Sequence, residues 1–73
     1  MSNDSYYVIQ FRLNLNGENI MHRDTAGNIV RFYDYRNAKT VFHALAQMYR
    51  TVRLIRIDSD DTETEVMEVR NYE

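Results

Sequence analysis

The sequence predicts an α+β fold: an antiparallel β-sheet of four to five strands, in the order β-β-β-α-β-β, with one amphipathic helix packed on one face. Three observations predict it. Residues 6–15 alternate apolar and polar with a period of two. Residues 38–49 carry an apolar stripe of helical period, and turn residues bound the remaining short apolar runs. The 73 residues are read as one domain, spanning 1–73, near the lower size limit of a single hydrophobic core.

In the first strand, Tyr7, Ile9, Phe11, Leu13 and Leu15 share one face, and Gln10, Arg12 and Asn14 share the other. Asn16-Gly17 follows as a hairpin turn, because both residues tolerate positive φ. The return strand, about Glu18 to Arg23, sets Ile20 and His22 on one side and Met21 on the other, and reads as an edge. Asp24 to Asn28 is a second turn, leading to a third strand from Ile29 to about Tyr35.

Asn37 is the expected N-cap, its side chain placed to accept from an unpaired N–H one turn in. Ala38, Val41, Phe42, Leu45, Met48 and Tyr49 then form the stripe, expected to pack through Val41, Phe42 and Leu45 onto Ile9, Phe11 and Leu13. Lys39, Thr40, His43 and Gln47 fall on the wet side. In the next strand, Val52 to Ile57, Val52 and Leu54 share one face while Ile55 and Ile57 share the other. Either a bulge resets the register between Leu54 and Ile55, or both faces are partly buried. The Asp58-Ser59-Asp60-Asp61 turn leads to a last strand, Thr62 to Val69.

Composition narrows the function. Without cysteine there is neither a disulfide nor a thiolate zinc site. His22 and His43 lie 21 residues apart on a strand and a helix, with no nucleophile or base partner in view. Gly17 and Gly27, the only glycines, both sit in turns, so no phosphate-cradling loop is formed. A non-enzymatic protein without metal or cofactor is expected. No apolar run approaches membrane-span length and Met1 leads into a polar segment, so a soluble cytoplasmic protein is expected.

Charge is unevenly spread. Residues 1–57 hold eight basic residues against four acids, a net +4, and residues 58–73 hold seven acids against Arg70, a net −6. Eight of the nine basic residues are Arg, whose planar fork makes bidentate contacts and stacks on rings. Two candidate partner-binding surfaces follow. The first is an acidic edge of Asp58, Asp60, Asp61, Glu63 and Glu65, more carboxylates than a turn needs and without evident benefit to folding. It lacks the central glycine and terminal Glu of a calcium loop. A rigid row of carboxylates can instead imitate a phosphate backbone and attract a basic groove.

The second surface is the sheet face away from the helix, with Arg12, Arg31, Tyr33 and Arg53. Exposed Arg and Tyr serve protein interfaces and single-stranded nucleic-acid binders alike. The ribonucleoprotein consensus is absent and the acidic last strand repels phosphate, so a protein partner is favoured over nucleic acid. A homodimer pairing its open sheets across a two-fold axis is the structural alternative.

The Tyr6 to Leu15 strand with Asn16-Gly17, the Ala38 to Tyr49 helix and the acidic Asp58 to Glu65 edge give a layout that resembles small phage-encoded accessory proteins, including anti-CRISPR and other host-inhibitor proteins. The resemblance is one of size and layout, and no functional residue is carried over from it. It implies a stoichiometric inhibitor, acting in the host cytoplasm, that occupies a basic or nucleic-acid-binding surface of a larger host complex.

Overall fold

The computed structural model describes residues 5–12 and 17–70. Its elements are β1 (Tyr6–Arg12), β2 (Ile20–Met21), α1 (Tyr35–Ala46), β3 (Thr51–Ile57) and β4 (Glu63–Arg70). The four strands form one antiparallel sheet in the order β2-β1-β3-β4. The sheet and single helix are the α+β class expected, with four strands. Leu13, Leu15 and the Asn16 half of the first turn lie outside the described residues.

Alternation along β1 directs Tyr7, Ile9 and Phe11 to the helix, and the register sets Leu54 beside Ile9 and Val52 beside Phe11. The core consists of Ile9, Ala38, Phe42, Ala46, Val52 and Leu54, with Val41, Leu45, Phe32, Met67 and Val69 packed against it. Helical spacing places Phe42 at the centre of this layer, where it has no solvent exposure. Phe11 and Tyr49 close one margin as stacked rings 4.2 Å apart, and Tyr7 meets Tyr35 at 5.5 Å along the other.

The helix begins three residues earlier than its stripe suggests. Asp34, not Asn37, is the N-cap: its backbone is extended and its Oδ1 accepts from the Arg36 N–H at 3.1 Å. Tyr35, one turn before Ala38, extends the apolar stripe and anchors this first turn on Tyr7. The helix also stops early, at Ala46, so Met48 leaves the stripe and is 70% exposed while Tyr49 reaches the core from the following turn.

The expected third strand, Ile29 to Tyr35, is reduced to two isolated bridges, Arg23 to Ile29 and Tyr7 to Phe32. The reason is local. Phe32 exchanges both backbone hydrogen bonds with Tyr7, at 2.7 and 2.9 Å, and two residues later the Asp34 cap turns the chain into the helix. The return strand is likewise short, Ile20–Met21, although the His22 N–H still donates to the Ile9 carbonyl at 2.8 Å.

The odd pattern of Val52 to Ile57 comes from burial on both faces, since β3 alternates without interruption against β1, and the register shift at Leu54 and Ile55 is also present. The β3–β4 register shifts between Leu54 and Ile55, and the extra residue is on the neighbouring strand. Leu54 faces Met67, Ile55 faces Glu65, and Val66 lies between, bulged. Both faces are buried: Val8 and Ile55, paired on the side away from the helix, are only 1% and 3% exposed.

Candidate partner-binding face

Among the described residues no element covers the sheet face opposite α1. Strand alternation and register lay it out: Tyr6, Val8, Gln10 and Arg12 from β1, Thr51, Arg53, Ile55 and Ile57 from β3, and Glu63, Glu65, Glu68 and Arg70 from β4, the last two ion-paired. Val8 and Ile55 are only 1% and 3% exposed on this face, with the long side chains of Gln10 and Arg53 joined beside them. Arg53 is central. Its Nε donates to Glu65 Oε1 at 2.8 Å and its Nη1 to Gln10 Oε1 at 3.0 Å.

The two candidate surfaces thus meet on one face. Arg53 of the sheet set and Glu65 of the acidic set are ion-paired, and Glu63 lies on the same side one register step beyond. Arg12, half-buried at the far end of β1, donates through Nε to Asn19 Oδ1 at 2.9 Å. Arg31 and Tyr33 lie at the opposite end, beside Tyr6. The Arg31 guanidinium carbon stands 5.0 Å from the centre of the Tyr6 ring, and the Tyr33 ring is 6.0 Å from it. Of these aromatics Tyr33 is 69% exposed. Tyr6 and Gln10 belong to the site as well, and the alternation of β1 already put Gln10 beside Arg12.

The surplus of acid in the 58–62 loop has structural uses, contrary to expectation. Asp61 N–H donates to the Asp58 carbonyl at 2.8 Å and Asp58 N–H to the Thr62 carbonyl at 3.0 Å, with Asp61 at φ +67°. This is a hairpin loop closed by a turn and one left-handed residue. Asp60 Oδ1 accepts from Thr62 N–H at 3.1 Å, and hydrogen bonding from the Thr62 side chain, then its backbone, holds the Asp60 carboxyl below its ordinary 3.8. Asp58 pairs with Arg56 Nε at 3.1 Å and accepts from the Ser5 hydroxyl at 3.3 Å.

The same loop occurs a second time. Gly27 N–H donates to the Asp24 carbonyl at 3.0 Å and Asp24 N–H to the Asn28 carbonyl at 2.9 Å, with Gly27 at φ +90°. Asp24 Oδ1 accepts from the Ala26 and Asn28 N–H groups at 3.0 Å each. Asp24 and Asp58 are equivalent, as are Gly27 and Asp61.

The charge asymmetry of the sequence becomes spatial. The acidic 58–62 loop and β4 form one margin of the sheet, and the arm carrying Arg23 and Arg31 forms the other. Three strand spacings, about 14 Å, separate β4 from the arm, while the loop comes nearer, Asp58 accepting from Ser5 at the start of β1. His43 lies edge-on to the Phe42 ring on the exposed side of α1, 5.4 Å between centres. Among the described residues no group of three or more His, Asp or Glu could hold a metal ion, and no helix is long and apolar enough to cross a membrane. No protein-family model, characterised protein or solved structure matches the chain.

Proposed function

We propose that this chain is a non-enzymatic protein-binding module, a stoichiometric inhibitor that lays its uncovered sheet face on a larger partner. The observation that carries this reading is the polarised face itself. Tyr33, Tyr6 and Arg31 gather at one corner, and Glu63 and Glu65 line the far margin. Aromatic and Arg side chains supply most of the binding energy at protein interfaces. Separated charges of opposite sign choose the partner and its orientation. The acidic margin fits a basic surface of the kind that holds nucleic acid. The module would act where such surfaces are found, in the cytoplasm.

The test is capture from a cell lysate with the parent chain and three variants, quantified by mass spectrometry. A retained protein that disappears with Tyr33→Ala and with Glu63→Lys/Glu65→Lys, yet persists with Lys39→Glu on the exposed side of the helix, supports the reading. Capture unchanged by both face variants, or abolished by Lys39→Glu alone, overturns it.

The same charge separation supports a second reading, a homodimer. A two-fold axis parallel to the strands lays the basic margin of each copy on the acidic margin of the other, whereas an axis across the strands opposes like charges. Light scattering on a concentration series distinguishes the two states.

A further inference from the structure

We infer that the corner between the 22–33 arm and β1 binds one unit of a single-stranded nucleic acid, a phosphate on Arg23 and Arg31 and a base on Tyr33. This inference does not rest on the proposed protein partner. An open concavity of about 460 Å³ lies on the arm side of this corner, lined by Arg23, Gly27, Asn28, Ile29 and Arg31. Two guanidinium groups and no carboxylate face it.

Both cations are held in place. Arg23 Nη1 donates to the Gly27 carbonyl at 2.8 Å, which uses one of the five guanidinium N–H donors and leaves the rest for a ligand. Arg31 is held over the face of Tyr6, so its N–H edge remains available. Fixed guanidinium forks suit the geometry of phosphate oxygens, and little rotamer freedom remains to be lost on binding. Beyond Tyr6 stands Tyr33, the most exposed aromatic ring described. A cationic pocket beside an open aromatic ring is how sequence-tolerant single-strand binders hold backbone and base together.

Two comparisons favour this ligand over an acidic peptide. A peptide carboxylate would satisfy the two Arg residues but offer Tyr33 nothing flat to stack on. Repulsion from the acidic margin is also small at this corner. Strand β4 lies three strand spacings, about 14 Å, away across the sheet, beyond the screening length of about 8 Å at physiological salt, and Asp58, which is nearer through its contact with Ser5, is paired with Arg56. The two carboxylates adjacent in sequence are both engaged: Asp24 is turned into its own loop by two backbone N–H groups, and Asp34, beside Tyr33, accepts from the Arg36 N–H at the start of the helix.

The experiment titrates the full chain into a fluorescein-labelled oligodeoxythymidylate of about eight nucleotides, reading anisotropy between low and physiological salt. One neutralised phosphate predicts a slope of about −0.7 for log affinity against log salt, and Arg23→Ala or Arg31→Ala should each weaken binding and flatten that slope. Tyr33→Ala should weaken binding about tenfold, and Tyr33→Phe should restore it. Backbone amide shifts of the isotope-labelled parent chain with the same oligonucleotide should centre on residues 22–33, a readout that needs no variant. Absence of binding at low salt, shifts centred elsewhere, or full affinity in Tyr33→Ala overturns the assignment. Equal competition by poly-glutamate or by inorganic tripolyphosphate also overturns it, since either would show a site for bare anions.

Discussion

At the scale of single residues, the paired loops form an internal experiment. Gly27 and Asp61 occupy the same left-handed position, which glycine adopts without penalty and Asp only at some cost. Asp61→Gly should therefore stabilise the chain by about 0.5–1 kcal/mol in urea denaturation, and Gly27→Ala should destabilise it by about 1 kcal/mol. Nothing lies within 4 Å of a Cβ added at Gly27, so that loss reflects backbone conformation alone. Asp60 gives a pH signature. Its carboxyl is held below its unfolded value by Thr62, so its contribution is complete above the ordinary carboxylate pKa and is lost as pH falls through the depressed one. Asp60→Asn keeps an oxygen acceptor for Thr62 but removes the titration. The acid limb of a stability-versus-pH curve should flatten in that variant, and an unchanged limb would count against the role of Asp60.

At the scale of elements, α1 holds the domain together through one ring. Phe42→Ala should cost about 3–5 kcal/mol, read by thermal or chemical denaturation, enough to unfold much of a chain this small. The cap is equally specific: Asp34→Ala should cost about 1 kcal/mol, while Asn37→Ala, at an exposed helical position, should be neutral or slightly stabilising. The reverse result would restore Asn37 as the cap. Much of this architecture was legible in the chain. The period-two run of β1 and the Phe42 stripe were unmistakable, and the apolar residues on both faces of Val52 to Ile57 signalled a strand buried on both sides. The failures share a cause. Asp34 and Asn37 are both good caps, and the Tyr35–Tyr7 ring contact, a long-range fact, favours the earlier start. Ile29 to Tyr33 has strand composition, but composition does not say how much of the β1 edge is left to pair with. The acidic set was legible as residues, and its use in building the loop was not, because that depends on which carboxylate oxygens meet which N–H groups.

At the scale of the whole molecule, charge and stability are separable. The Arg53–Glu65 and Arg56–Asp58 pairs are partly solvated, and pairs of this kind contribute only about 0–1 kcal/mol. Glu63→Gln with Glu65→Gln should leave the melting temperature within a few degrees while reducing the charge of one margin. Arg53→Ala should cost more than Glu65→Ala, because the Arg stem lies among the side chains around Val8 and Ile55 as well as pairing with acid. Equal losses in the two variants would reduce Arg53 to its charge.

The paired loops have one more consequence, at the level of the gene. Every Asp codon becomes a Gly codon by a single base change, so the relaxed residue used at position 27 is always one mutational step away from position 61. A lineage selected for stability alone would reach it readily. Asp61 therefore marks the place where directed evolution for thermal tolerance should find its first improvement, and where a parallel selection for binding would reveal any opposing demand on the same codon.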